Sequence, residues 1–236
     1  MDSTLYFKQL LSGKDFAVGN QIATQMVNFV YMIGDAESRK CLLVDPTYAI
    51  DDLLNIAQID DMQVTGVLLT HYHADHAGGN LFGSQIEGSK ELLEKLSVPV
   101  HCNKDETPWL LKTSGLNNDD LESHESGDTV SVGNIEIKLI GTPGHTPGSQ
   151  CFLVNAQLIA GDTLFLDGCG RTDLPGSDPE LMYDSLINKL NKLNDDIMVY
   201  PGHFYSKDPF DNLGNVKSYN PVLKPRTPQE WLAIFS

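Results

Sequence analysis

The sequence predicts an α/β protein organised as a single domain over residues 1–236. The first reason is a strand–helix–strand order: two apolar segments, Cys41–Val44 and Val64–Leu69, flank Ile50–Ile59, in which apolar residues recur at helical spacing. This order is typical of a crossover between parallel strands. The second reason is that two later pairs of short apolar segments are separated by turn-forming residues, as in β-hairpins.

The remaining elements follow from apolar patterns that end at turn residues such as Gly34-Asp35 and Asp45-Pro46. Strands are predicted, in order, at Leu5–Leu11, Met26–Ile33, Cys41–Val44, Val64–Leu69, Val98–Cys102, Thr129–Val132, Ile135–Ile140, Cys151–Val154, Leu158–Ala160 and Ile197–Tyr200. Helices are predicted at Ile50–Ile59, Ser89–Ser97, Asp105–Lys112, Pro179–Leu193 and Pro228–Ile234. The polar stretch Leu116–Ser126 is predicted to be a loop, and residues 206–236 a proline-rich C-terminal extension of the domain.

Composition narrows the range of functions and partners. The formal net charge is −16, and the pI of about 4.6 argues against a broad electrostatic surface for nucleic acid or anionic membranes. The N-terminus lacks the pattern of a signal peptide, and no stretch approaches the roughly 20 apolar residues of a membrane span, so a cytoplasmic location is expected. The four cysteines, which have no C-x-x-C spacing, are expected to be free thiols: Cys41, Cys102, Cys151 and Cys169. The sequence does not specify the oligomeric state.

The strongest motif follows the strand Val64–Leu69 directly. His71, His73, Asp75 and His76 fall within six residues, although the whole chain has only seven histidines. Imidazole and carboxylate are the ligands of zinc and similar divalent ions. In an extended backbone, His71 and His73 point to the same side, while Asp75 and His76 are expected at the turn that follows. The segment therefore predicts two adjacent metal positions.

Three further potential ligands occur at the ends of predicted strands. His145 lies in the turn Thr142-Pro143-Gly144-His145-Thr146-Pro147-Gly148, Asp162 follows Leu158–Ala160, and His203 follows Ile197–Tyr200. The other histidines, His101 and His124, lack this context and are expected to have structural or solvent-facing roles.

These seven residues suit two divalent metal ions, preferably zinc. His71, His73 and His145 would hold the first, Asp75, His76 and His203 the second, and Asp162 would bridge them. Two such ions activate water and stabilise an oxyanion, so a metal-bound hydroxide is the expected nucleophile, and Asp75 is the expected catalytic residue that orients it. No G-x-S-x-G or P-loop motif is present to support another mechanism.

In its H-x-H-x-D-H run and the later His145, Asp162 and His203, the chain resembles the metallo-β-lactamase superfamily. The resemblance implies a four-layer αββα sandwich of two mixed β-sheets flanked by helices. Within the superfamily, Thr-Pro-Gly-His-Thr-Pro-Gly and Gly168-Cys169-Gly170-Arg171-Thr172-Asp173 resemble the glyoxalase II and persulfide dioxygenase branch. That branch implies substrate-binding roles for Arg171 and Tyr205 and a glutathione conjugate as the small-molecule substrate. It also implies that Cys169 lies near the site, but no neighbouring residue in the sequence indicates a lowered thiol pKa, so a structural role is expected for Cys169.

The primary expectation is a metal-dependent hydrolase that cleaves a thioester or related ester of a small carboxylate-bearing substrate, as hydroxyacylglutathione hydrolases do. The alternative is a persulfide dioxygenase that acts on glutathione persulfide with one Fe(II), held by the positions His71, His145 and Asp162. Lactone or β-lactam hydrolysis is a further alternative. A protein that binds metal without catalysis would have to keep seven ligands unused.

Overall fold

The computed structural model describes residues 4–225 and 227–233. Its strands are β1 Leu5–Leu11, β2 Phe29–Asp35, β3 Lys40–Val44, β4 Gln63–Leu68, β5 Gly79–Leu81, β6 Ser84–Ile86, β7 Val100–Asn103, β8 Leu121–His124, β9 Thr129–Val132, β10 Ile135–Gly141, β11 Gln150–Val154, β12 Gln157–Gly161, β13 Met198–Pro201 and β14 Asp211–Asn212. Its α-helices are α1 Gln21–Met26, α2 Ile50–Ile59, α3 Ala74–Ala77, α4 Ser89–Leu93, α5 Thr107–Thr113, α6 Pro179–Tyr183, α7 Leu213–Tyr219 and α8 Pro228–Leu232. A π-helical segment, Asp184–Lys189, continues α6, and short 3₁₀ turns lie at Asn118–Asp120, Leu190–Lys192 and Pro221–Leu223.

The first large sheet has six strands in the order β1-β2-β3-β4-β7-β8. The pairs β1–β2 and β2–β3 are antiparallel, whereas β3–β4, β4–β7 and β7–β8 are parallel. The predicted crossover is therefore confirmed, because α2 connects the parallel neighbours β3 and β4. Parallel strands end at the same edge of a sheet, so the segments that follow β3 and β4 start side by side. Asp45 N–H donates to the Leu68 carbonyl across this edge at 3.0 Å.

The second large sheet also has six strands, in the order β14-β13-β12-β11-β10-β9. β10, β11 and β12 form an antiparallel meander, and β13 joins it parallel to β12. Because β12 and β13 run in the same direction, the residues that follow them, Asp162 and His203, leave the sheet at one edge. The two mixed sheets with their helices confirm the predicted α/β class.

The chain divides into two compact units. One contains the chain up to His124 together with Thr129–Ile137, and the other contains Glu125–Asp128 and the chain from Lys138 onward. Each has its own apolar core. In the first, Ile50, Leu53 and Ala57 of α2 pack with buried strand residues, and in the second, Met182, Leu186 and Trp231 pack with the strands. The expectation of a single domain stays a prediction.

Several predicted boundaries need correction. Leu116–Ser126 is not a plain loop, because it contains a 3₁₀ turn and β8. The predicted helix Pro179–Leu193 is α-helical only as far as Tyr183 and then widens into the π-helical segment. The C-terminal extension contains β14 and α7 in addition to the expected last helix. That helix ends at Leu232, and the predicted residue Ile234 lies outside the described residues.

Within residues 4–225 and 227–233, no helix combines the length and the apolar character needed to cross a membrane.

Candidate metal centre

The motif His71–His76 lies where β4 leaves the first sheet and the chain turns into α3. His73 is the N-cap of this one-turn helix, with φ −60° and ψ 146°, and its carbonyl accepts the N–H groups of His76 and Ala77. The extended segment and the predicted turn are both present, so Asp75 and His76 project from a different backbone direction than His71 and His73. His71, Asp75 and His76 are buried, and His73 is half-buried.

Asp45 orients two of these histidines through a chain of hydrogen bonds. Its Oδ2 accepts from the Thr70 hydroxyl at 2.6 Å, and this hydroxyl oxygen in turn accepts from Nδ1 of His71 at 3.0 Å. The same Oδ2 accepts from Nδ1 of His76 at 2.9 Å. Both rings therefore carry their proton on Nδ1, which leaves the lone pair of Nε2 available to a metal ion.

Asn28 holds the carboxylate of Asp75. Its Nδ2 donates to the Asp75 backbone carbonyl at 3.0 Å and to Oδ2 at 3.1 Å, and Nε2 of His76 lies 3.3 Å away. The Tyr48 hydroxyl fixes Asn28 in turn by donating to its Oδ1 at 2.7 Å. Thr47 adds a second donor to the Asp75 carbonyl at 3.1 Å. Asp75 is therefore fixed in one orientation by groups that are themselves buried.

In the second unit, His145, Asp162 and His203 converge. Oδ2 of Asp162 lies 3.3 Å from Nε2 of His203 and 3.6 Å from Nε2 of His145. His145 donates from Nδ1 to the Arg171 carbonyl at 2.8 Å, and its Nε2 is the nitrogen that faces Asp162. His145 and His203 are thus both directed toward the Asp162 carboxylate.

Glycines make this convergence possible. A Cβ at Gly170 would lie 2.0 Å from the Asp162 carbonyl oxygen and 2.8 Å from Nδ1 of His145. A Cβ at Gly202 would lie 2.3 Å from Oδ1 of Asp162. No side chain fits at either position without displacing a ligand, which explains why glycine follows Cys169 and precedes His203.

The donor sets fit divalent metal ions. Nε2 of His76 faces Oδ2 of Asp75 at 3.5 Å, and Nε2 of His145 faces Oδ2 of Asp162 at 3.6 Å. A divalent cation can bind a histidine nitrogen and a carboxylate oxygen that lie this close together. Nε2 of His71 likewise lies 3.1 Å from Nδ1 of His73. Imidazole nitrogens with carboxylate oxygens are the donor chemistry of zinc and non-haem iron sites.

The structure brings the predicted ligands together in two sets. His71, His73, Asp75 and His76 form one set within the first unit, and His145, Asp162 and His203 form the other within the second. Their union in one centre stays a prediction. Sequence reasoning missed Asp45 and Asn28, and only the position of Asp45 directly after β3, at the sheet edge next to β4, offered a signal.

The predicted substrate residues lie near the second set in the chain and are solvent-accessible. The Tyr205 ring stacks on the His203 ring, with centroids 4.6 Å apart and an angle of 7°, and Tyr205 is 55% exposed. Arg171 makes a bidentate ion pair with Asp173 at 2.9 and 2.8 Å, and the two side chains are 68% and 69% exposed. Burial raises the pKa of the Cys169 thiol to about 12, in keeping with its predicted structural role.

Comparison with known proteins shows what the chain resembles. The profile described as the metallo-beta-lactamase superfamily matches residues 23–203. PksB of Bacillus subtilis, a "probable polyketide biosynthesis zinc-dependent hydrolase", is 30% identical over 193 residues, which cover 82% of this chain and 80% of PksB. The mitochondrial persulfide dioxygenase ETHE1 of Bos taurus is 29% identical over 222 residues, covering 90% of this chain and 78% of that protein.

The crystal structure of ETHE1 from Myxococcus xanthus matches with a TM-score of 0.79 at 28% identity, covering 97% of this chain and 89% of the other. These similarities confirm the fold family and the branch that the sequence motifs indicated.

Proposed function

The chain belongs to the metallo-beta-lactamase superfamily, and on this premise we propose that it is a metal-dependent hydrolase of a small thioester or related ester that carries a carboxylate. Its relatives are named as hydrolases and dioxygenases, so the chain is an enzyme of this family that binds divalent metal. The similarity to PksB, a zinc-dependent hydrolase by name, favours hydrolysis and zinc for this chain.

We propose that the two ligand sets together hold two metal ions. The first ion would be bound by His71, His73 and His145, the second by Asp75, His76 and His203, with Asp162 shared between them. When bound, such ions lower the pKa of a coordinated water to near neutrality and stabilise a developing oxyanion.

The observation that carries the proposal is the fixation of Asp75 and His76. In a site with a single ion held by His71, His145 and Asp162, these two side chains would not be ligands. Asp75 is nevertheless fixed by Asn28 at 3.1 Å, and His76 by Asp45 at 2.9 Å, all four residues being buried. Burying two carboxylates with a histidine in this way is costly unless a charge or a metal compensates them. A second cation supplies that compensation.

The chain's own groups have separate tasks in hydrolysis. Asp75 accepts a hydrogen bond from Asn28 through Oδ2 and offers its other oxygen to orient the water nucleophile. The Tyr205 ring covers one face of His203. The Phe165 ring lies edge-on to both, with its centroid 6.0 Å from that of His203 and 5.2 Å from that of Tyr205. These rings keep His203 oriented and limit access of bulk water to it.

Arg171 is the proposed anchor for the substrate carboxylate. Its guanidinium already binds the Asp173 carboxylate through two parallel hydrogen bonds, which is the geometry a substrate carboxylate would use. Both side chains of this ion pair are exposed and screened by water, so exchange of Asp173 for a substrate carboxylate costs little. A glutathione conjugate provides such carboxylates, and Tyr205, which is 55% exposed, is the second proposed substrate-binding residue.

The second candidate is a persulfide dioxygenase with one Fe(II). The observation in its favour is 29% identity to the bovine persulfide dioxygenase over 90% of this chain. In that case His71, His145 and Asp162 would hold the iron, and the other four residues of the two sets would lie around it without binding it.

Two measurements on the purified full-length protein distinguish the candidates. Elemental analysis after purification without added metal should give at least two zinc per chain for the hydrolase. A panel of glutathione and other small thioesters should then be hydrolysed. One iron per chain, with oxygen uptake on glutathione persulfide and no thioester cleavage, would contradict the hydrolase.

A further inference from the structure

Two histidines and a glutamate outside the proposed centre converge at one edge of the first large sheet. They lie on the parallel pair β7–β8, in which His101 is in register with Glu122 and Asn103 with His124. Residues two apart on a strand point to the same face, so Glu122 and His124 share a face of β8. His101, as the register partner of Glu122, projects from that face as well.

The ligand atoms of the three side chains are as close together as the ligands of one metal ion. Nδ1 of His101 lies 3.0 Å from Nε2 of His124 and 3.2 Å from Oε2 of Glu122. One ligand atom from each of the three residues lies within 4.8 Å of the others. In a tetrahedral zinc site with bonds of about 2.0–2.1 Å, ligand atoms lie about 3.3 Å apart, which matches these separations.

Hydrogen bonding alone does not explain why these three side chains lie so close together. Nε2 of His101 faces Gly66 of the adjacent strand, at 3.5 Å from where a Cβ would lie there, so Nδ1 is the nitrogen directed at the cluster. Nδ1 carries at most one hydrogen, and a histidine nitrogen and a carboxylate oxygen both approach it. A cation would accept all three lone pairs together.

The position of the cluster gives an ion access from solvent. β8 is the last strand of its sheet. The His101 side chain is 10% exposed, whereas that of Glu122 is 58% exposed. Three protein ligands with one side open to water leave room for a fourth ligand from solvent.

We propose that His101, Glu122 and His124 form an additional metal site that binds one divalent ion of the zinc class. Its ligands belong to neither set of the proposed catalytic centre, so it is independent of the proposed function. Two histidines and one carboxylate select borderline divalent transition metals over magnesium or calcium. Because the ligands come from two neighbouring strands, the bound ion would fasten the edge strand β8 to β7.

The test is a zinc titration of the full-length protein by equilibrium dialysis, comparing wild type with His124→Gln and Glu122→Gln. The matched control is Glu136→Gln, which removes the same charge from an exposed position on β10. Wild type and the control should bind about one zinc more per chain than His124→Gln, and Glu122→Gln should bind that zinc at least tenfold more weakly. Thioester hydrolysis should be unchanged in all four proteins.

Thermal unfolding with and without zinc distinguishes loss of the zinc site from misfolding of a variant. Without metal, His124→Gln and wild type should unfold at similar temperatures, and added zinc should stabilise wild type more than the variant, since an ion that binds only the native state stabilises it. Equal zinc content and an equal zinc-induced shift in the four proteins would overturn the proposal. So would loss of the additional zinc in Glu136→Gln as well.

Discussion

The proposed metal ligands are oriented by hydrogen bonds from neighbouring residues that do not themselves bind the metal. Asp45 is the clearest case, because one carboxylate sets the tautomer of His76 directly and that of His71 through Thr70. Groups of this kind raise the basicity of the ligand nitrogen and hold the ring in place. Metal affinity should therefore depend on Asp45 although it was not among the predicted ligands.

Asp45→Asn is expected to weaken metal binding about 10–100-fold, because the neutral amide is a poorer acceptor for the hydrogen bonds from Nδ1 of His76 and from the Thr70 hydroxyl. Asn tolerates the backbone of this position, where φ is +52°. Metal titration monitored by competition with a chelator measures the effect. Asp61→Asn is the matched control: φ there is +57° and the side chain is 86% exposed. An Asp45→Asn protein with unchanged affinity would show that the hydrogen bond is incidental.

His76 and His145 separate the two candidate functions. In a two-zinc hydrolase, both His76→Ala and His145→Ala should lower the metal content and abolish most activity, because each removes a proposed ligand. In a one-iron dioxygenase, His145→Ala should do so, whereas His76→Ala should keep the iron and much of the activity. Metal content and turnover of both variants decide this. Equal losses in a protein that contains iron alone would contradict both assignments.

The proposed ligands could be identified from the sequence because their types and spacing are unusual, with four of them within six positions of the chain. Asn28 and Asp45 were not, because their roles arise from contacts with residues 47 and 31 positions away. Asn and Asp are common turn residues, and nothing in their local sequence distinguishes a turn from a support for a metal ligand.

At the level of elements, short loops rather than helices or strands determine the second ligand set. The loop at Gly168-Cys169-Gly170 passes so close to His145 and Asp162 that only a hydrogen fits in place of a Cβ at Gly170. This loop also supplies the Arg171 carbonyl that accepts from His145. Its path is therefore coupled to the orientation of a proposed ligand.

Gly170→Ala is expected to reduce metal binding and stability together, because its Cβ would lie 2.0 Å from the backbone carbonyl oxygen of Asp162 and 2.8 Å from Nδ1 of His145. Gly168→Ala is the control in the same loop, since none of the described heavy atoms lies within 4 Å of its Cβ position. Overpacking of this kind costs about 1–3 kcal/mol. Chemical denaturation and metal titration of both variants measure it, and equal behaviour of the two would show that the loop simply moves aside.

Element boundaries were predicted where one regular period continued, as in α2. The segment from Pro179 to Leu193 was predicted as one helix because apolar residues recur at helical spacing, at Leu181, Met182, Leu186, Ile187 and Leu190. The residues of this set that are fully buried, Met182, Leu186 and Leu190, lie four positions apart. A spacing of four also suits the wider turn of a π-helix, so the pattern alone does not distinguish the two. Helix α7 was missed because Gly214 and Asn215 weaken helix propensity, while its Asn212 cap reads as a turn.

At the scale of the whole chain, the C-terminal extension belongs to the core of the second unit. The sequence predicted only a proline-rich extension with one short helix. In the structure, Trp231 is 0% exposed among the apolar residues of that core, so the extension packs on the second unit. The sequence could not specify which apolar residue is buried, because Trp231 and Leu232 are adjacent and differ only in the direction they face.

Trp231→Ala is therefore expected to destabilise the protein by about 3–5 kcal/mol, because it removes a fully buried aromatic side chain and leaves a cavity. Leu232→Ala is the adjacent control: Leu232 is 37% exposed, and its truncation should change stability by about 0.5 kcal/mol or less. Denaturant unfolding of the metal-free proteins measures both, so that loss of metal does not contribute. If Trp231→Ala unfolds at the same denaturant concentration as Leu232→Ala, the extension is an appendage to a core that is stable without it. If Trp231→Ala is less stable, the last helix is part of the folded unit that carries His145, Asp162 and His203.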